Sequence, residues 1–128
     1  MTTIRIYEYN GCSTCRKALR FLESNKMKFE RIAIVDSPPS VVELNTMLEL
    51  IKANGGSIKN LFNTSGVQYR EMRIAEKIKA GLSEDDALKL LARNGKLIKR
   101  PFLLVEKNGK KSGMVGFDED RWSDLLCP

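Results

Sequence analysis

The sequence predicts an α/β fold, and three observations carry that prediction. Apolar residues alternate with polar ones in short runs at both ends of the chain. Helical stripes with capping residues lie between those runs, and an Asn-Gly dipeptide separates the last two strand-like runs.

Residues 3–9 (TIRIYEY) set Ile4 and Ile6 against Arg5 and Tyr7, which is the period of a strand. Residues 13–25 place Cys15, Ala18, Leu19 and Leu22 on one helical face. Residues 28–35 (KFERIAIV) read as a second strand, after which Ser37-Pro38-Pro39 breaks the pattern. Ser40-Val-Val-Glu43 has the form of a capping box, so a helix starts there, with Leu44, Met47, Leu48 and Ile51 as its apolar stripe. Asn54-Gly55-Gly56 ends it. Residues 57–82 hold short helical pieces around 69–72 and 73–79, divided by the turn Asn63-Thr-Ser-Gly66. Ser83 followed by Glu84, Asp85 and Asp86 supplies an N-cap and an acidic first turn for a further helix, whose face is Leu88, Leu91 and Ala92 and whose stop is Gly95. Phe102–Val105 is strand-like, Asn108-Gly109 is a hairpin turn, and Lys111–Phe117 returns antiparallel. Asp118 caps a last helix carrying Trp122, Leu125 and Leu126.

The order is therefore β-α-β, a helical middle, then β-β-α. That is the layout of a thioredoxin-like fold, a mixed four-stranded sheet, with a helical insertion subdomain at about 40–98 inside a single domain spanning 1–128.

Composition bounds the function classes. A chain of 128 residues, 42% hydrophobic and 30% charged, can bury a core without disulfide staples. Three cysteines is an odd count, and MTTIRIYEYNG shows neither a basic segment nor a continuous apolar one, so a cytoplasmic protein is expected rather than a secreted one. A membrane span needs about 20 consecutive apolar residues, and none is expected here. The net charge of +6 is spread over short clusters without a nucleic-acid motif, so direct DNA binding is not expected.

The chemistry concentrates at Asn10-Gly-Cys-Ser-Thr-Cys-Arg-Lys-Ala18, where strand gives way to helix. Two cysteines three apart on a first helical turn lie about 5–6 Å apart at Cα, within the range a disulfide tolerates. Cys12 sits where free backbone N–H groups and the helix dipole favour a thiolate, which makes it the candidate nucleophile; Cys15, one turn deeper, is the candidate resolving thiol. Two other readings compete. A zinc site wants about four ligands, and this chain has no histidine and a single further cysteine, so no metal site is expected. The pair could instead be inert core residues, which suits Cys15 on the apolar stripe but not Cys12 in a glycine-containing turn. Cys127, outside any motif, reads as an incidental surface thiol.

Arg100-Pro101 is the second signal. Thioredoxin-like folds place a proline, usually cis, just before the third strand and opposite the reactive cysteine. An arginine there can bring its guanidinium towards the thiolate and hold an anion by charge-assisted hydrogen bonds; the alternative is a surface arginine before an ordinary trans proline. Ser13, Arg16 and Pro101 are the candidates for positioning a substrate.

The segments Gly11–Ala18, Pro38-Pro39-Ser40, Asn63–Gly66 with Tyr69-Arg70-Glu71, Lys99-Arg100-Pro101 and Val115-Gly116-Phe117 together resemble the arsenate reductase-like family, to which the Spx proteins belong. The resemblance covers nearly the whole chain. It implies a thioredoxin-like fold, a cytoplasmic bacterial setting and redox chemistry at Cys12, with no bound cofactor and with glutathione or thioredoxin as electron donor. Its CxxC pair is closer to the Spx branch than to true arsenate reductases. Those enzymes resemble this chain at Cys12 and Arg100 but have a histidine where it has Glu8, no second cysteine at Cys15, and two further arginines whose nearest counterparts are Asn63 and a residue near Gly113. Efficient arsenate reduction is therefore not expected.

Two functions stand side by side. One is a thiol-disulfide oxidoreductase acting on a thiol or disulfide substrate. The other is an Spx-like redox-sensing regulator which, by the same resemblance, binds the RNA polymerase α subunit. Gly55 or Gly56 lies where Spx proteins have a glycine at that contact, a position that also reads as an ordinary helix C-cap.

Overall fold

The computed structural model describes residues 2–127. Its chain divides into two compact units, one made of residues 1–33 and 100–128, the other of residues 34–99.

In the first unit, β1 (Thr2–Glu8), β2 (Glu30–Ala33), β3 (Phe102–Lys107) and β4 (Lys110–Val115) form a sheet of order β2-β1-β3-β4. β1 and β2 run parallel, while β1–β3 and β3–β4 are antiparallel, so the sheet is mixed. The parallel pair requires a crossover, and α1 (Ser13–Ser24) supplies it. The hairpin closes at Asn108 (φ 53°) and Gly109 (φ 81°), both left-handed, as a two-residue turn matching strand twist demands. α6 (Glu119–Leu126) starts at Asp118, whose carboxylate accepts from the Arg121 N–H at 3.1 Å.

One face of the sheet presents Ile4, Ile6, Leu103 and Val105 to Ala18, Leu19, Phe21 and Leu22 of α1 and to Trp122 of α6. Trp122 is fully buried, packs edge-on against Phe117 at 4.9 Å and Phe21 at 6.1 Å, and donates its indole N–H to the Gly116 carbonyl at 3.1 Å. Fully burying an apolar side chain of the Leu or Phe kind contributes about 1.5–3 kcal/mol, so this layer holds α1 and α6 on the sheet. The alternation in 3–9 predicts an exposed second face, but Tyr7 is buried and packs edge-on against Phe102 at 5.5 Å. Tyr7 and Phe102 are thus buried as well as Ile6 and Leu103, and period-2 alternation cannot distinguish burial on both faces from burial on one.

The second unit is helical: α2 (Val41–Ala53), α3 (Val67–Glu71), α4 (Ile74–Lys79) and α5 (Glu84–Arg93), with 3₁₀ turns at Ile58–Leu61 and Gly95–Leu97. The capping box forms as the sequence predicts: Ser40 Oγ accepts from the Glu43 N–H at 3.1 Å, and the Ser40 N–H donates to the Glu43 carboxylate at 3.0 Å. Leu44, Met47 and Leu48 of α2 and Ala87, Leu88 and Leu91 of α5 are buried. α3 and α4 are separated at Arg73, which is left-handed with φ 53°. No glycine or proline marks that break, which is why residues 57–82 show only fragments of a helical period. Gly95 is more than a stop signal, since a Cβ there would run into the Ile34 carbonyl; the close approach, not left-handed freedom, requires glycine.

Candidate active site

The loop from β1 into α1 is drawn tight by its own backbone. The Cys12 N–H donates to the Tyr9 carbonyl at 3.1 Å, and Cys12 is the N-cap of α1, extended at φ −98° and ψ 115°. Its sulfur takes the part an N-cap hydroxyl usually plays, accepting the Cys15 N–H at 3.3 Å. A helix here leaves donors unpaired at its start, and in this chain one of those donors is spent on a thiol.

The two thiols therefore differ. Cys12 is half-buried and Cys15 only 1% exposed, both reduced. Burial works against the Cys12 thiolate, but hydrogen bonds from the Cys15 thiol, the Cys15 N–H and the Thr14 N–H, together with the Arg100 charge, outweigh it and hold its pKa below the ordinary value. Cys15 is pushed up to about 12, first by burial, then by the hydrogen bond it gives Cys12 and by the negative charge there. The arrangement has one sulfur ready to attack and the other held protonated against it.

Arg100 belongs to this group of side chains. It precedes Pro101 through a cis peptide bond. Pro101 is buried and its carbonyl accepts the Gly116 N–H at 2.8 Å, tying the start of β3 to the end of β4. Ser13 opens α1 and is exposed. Arg16, also exposed, turns back to the same loop, its guanidinium donating to the Asn10 carbonyl at 3.4 Å.

Glu8, which stands where true arsenate reductases have a histidine, has an ion-pair partner of its own. Its side chain, 6% exposed, accepts from Arg31 at 2.8 Å, an ion pair between β1 and β2 that neutralises it. Cys127, exposed at the end of α6, has its sulfur 4.0 Å from the Asn25 side-chain oxygen. Gly113 lies in β4 opposite Leu104, and Asn63 belongs to the helical unit, where its N–H donates to the Leu97 carbonyl at 2.7 Å. Sequence reasoning missed Tyr9. It assigned residue 9 to the first strand, whereas β1 stops at Glu8 and the Tyr9 ring, 37% exposed, carries the Arg100 guanidinium carbon 4.6 Å from its centroid. Among the described residues there is no cluster of three or more histidine, cysteine or carboxylate side chains able to hold a metal.

A family model described as the ArsC family matches residues 7–125. The chain belongs to the ArsC family. The uncharacterized protein YusI of Bacillus subtilis is 41% identical over 122 residues, covering 95% of this chain and 97% of that one. The global transcriptional regulator Spx of Streptococcus agalactiae is 26% identical over 117 residues, 91% of this chain and 78% of Spx. A solved structure from Streptococcus mutans, named a possible arsenate reductase, superposes with a TM-score of 0.80 at 37% identity, covering 98% of both chains. The mixed sheet with its helices is thus the thioredoxin-like fold of ArsC-family proteins, and the CxxC pair stands at the head of its first helix. No helix among the described residues is long and apolar enough to cross a membrane.

Proposed function

We propose that this ArsC-family chain is a thiol-disulfide oxidoreductase in which Cys12 attacks and Cys15 resolves. The observation that carries the reading is the Cys12 sulfur accepting the Cys15 N–H at the head of α1, with the second thiol of the pair buried one turn deeper. The Cys12 thiolate attacks one sulfur of a substrate disulfide, forming a mixed disulfide and displacing the other sulfur as a thiolate, which takes up a proton. Once Cys12 is so bonded, its negative charge no longer opposes ionisation of Cys15. Cys15 then loses its proton, attacks the Cys12 sulfur and releases the second substrate thiol, leaving a Cys12–Cys15 disulfide. Two electrons have passed from protein to substrate, and glutathione or thioredoxin returns them. The reading takes the protein to be cytoplasmic, where those reductants are kept reduced. Arg100 favours the attacking thiolate, and Ser13, Arg16 and Pro101 border the path of the substrate.

The test is turnover of a small disulfide by the purified protein with glutathione or with thioredoxin and its reductase. Loss of turnover in Cys12→Ser is expected, and equal turnover in that variant would overturn the reading. A second reading is favoured by the relatives named global transcriptional regulator Spx, 26–29% identical over most of this chain: the same pair would then gate binding to the RNA polymerase α subunit. Capture of that subunit by one redox form alone, without disulfide turnover, would select it.

A further inference from the structure

We propose that Tyr9 is a positioning residue whose ring face holds the Arg100 guanidinium in the neighbourhood of Cys12, so that the anchor and the loop it serves are one segment of chain. The inference rests on the oxidoreductase reading of Cys12 and names a group that reading does not use.

Three features of the geometry point to it. The antiparallel register of β1 and β3 ends at Tyr7 opposite Phe102, and continuing it past the strand ends sets Tyr9 across from Arg100. There the guanidinium carbon lies 4.6 Å from the ring centroid, well inside the ~6 Å over which a cation is attracted to an aromatic face. The Tyr9 backbone is itself part of the site, since its carbonyl accepts the Cys12 N–H at 3.1 Å. Finally, the ring lies over the loop: a Cβ added at Gly11 would come within 3.2 Å of its edge. A long, flexible arginine on its own would sample many rotamers, and a planar guanidinium stacked on a ring loses that freedom in one geometry. The Arg100 charge favours the Cys12 thiolate, so whatever fixes the guanidinium also tunes the thiol.

The experiment measures the rate of Cys12 alkylation against pH in a Cys127→Ser background, for the parent, Tyr9→Leu, Tyr9→Phe, Arg100→Ala and the Tyr9→Leu/Arg100→Ala double variant. Tyr9→Leu is expected to move the profile to higher pH, with roughly a two- to fivefold loss of rate at neutral pH, the factor that the worth of an exposed cation–aromatic contact implies. Tyr9→Phe restores the parent profile, because the ring face and not the hydroxyl makes the contact. In the double variant, Tyr9→Leu adds nothing to Arg100→Ala, since the two act through one interaction. A parent-like profile in Tyr9→Leu while Arg100→Ala is shifted would overturn the role of Tyr9 and leave the oxidoreductase reading intact. Additive effects in the double variant, or a Tyr9→Phe profile matching Tyr9→Leu, would overturn it as well. An ordinary thiol profile for Cys12 in the parent would instead remove the oxidoreductase reading, and this inference with it. Tyr9 is more than a third exposed, so its replacement leaves the buried core untouched, and circular dichroism of each variant checks the fold.

Discussion

One equivalent of iodoacetamide at neutral pH, added to the Cys127→Ser protein, is expected to mark Cys12 and spare Cys15. The size of the preference follows from the surroundings of the two sulfurs. Cys15 is held at about 12, while Cys12 lies below the ordinary 9.0. At least about three pH units therefore separate them, and near neutral pH the Cys12 thiolate is at least about a thousandfold more abundant. Part of that advantage is returned, because a more basic thiolate is intrinsically the better nucleophile. With a Brønsted slope of about 0.5, three pH units give back roughly thirtyfold. The net preference for Cys12 is at least about thirtyfold, and the near-complete burial of Cys15 widens it. Removing Cys127 is necessary because that thiol is exposed and would compete for the reagent. Peptide mass spectrometry after digestion gives the ratio directly. Comparable labelling of both motif thiols, or Cys15 labelled first, would refute the assignment of attack and resolution.

Mild oxidation is expected to form a Cys12–Cys15 disulfide within one chain, and Cys15→Ser to leave Cys12 in mixed disulfides with glutathione; a dominant Cys12–Cys127 link on non-reducing digestion would contradict this. Arsenate reduction in a coupled assay is expected to be weak, because the resemblance sets neutral residues, Asn63 and one near Gly113, where true reductases have two oxyanion-binding arginines, and each charge-assisted contact is worth about 1.5–3 kcal/mol. Turnover matching a true reductase would show that other groups hold the anion. Trp122→Ala should cost about 3–5 kcal/mol in urea denaturation, as a buried aromatic with an indole hydrogen bond is lost; a loss under about 1 kcal/mol would mean the α1–α6 layer closes over the gap. Folding holds Cys15 in its thiol form, so its contribution to stability is fully present below pH 9.0 and is lost as pH rises towards about 12. Cys15→Ala should therefore flatten the alkaline fall in stability, by at most about 1.4 kcal/mol per pH unit, and an unchanged slope in denaturation curves would count against it.

Whatever is local is legible in the sequence. Ser40 and Glu43 announce a capping box, Asn108-Gly109 a two-residue hairpin and Asp118 a helix start, because each of these satisfies backbone groups within a few residues of itself. The same holds for the heart of the site: Cys12 and Cys15 share one helical turn by spacing alone, and a cysteine at the head of a helix faces unpaired N–H groups in any fold. The order of elements was enough to point to a thioredoxin-like sheet. Where helical pieces were short, as at Arg73, no residue type marked the break and the period had no length over which to show.

What joins segments far apart in the chain is a matter of the fold. Tyr9 looked like the last residue of a strand, and only the register between β1 and β3 sets it across from Arg100. Glu8 reads from the sequence only as a residue in a histidine's place, and the pairing of β1 with β2 is what brings Arg31 to it. Gly95 looked like a helix stop, and the approach of the Ile34 carbonyl gave the actual reason for its lack of a side chain. The burial of Cys15, and so the gap between the two thiols, is likewise a property of the folded chain. Periodicity and caps report a residue's neighbours along the chain, whereas burial, ion pairing and the field at a sulfur depend on its neighbours in space.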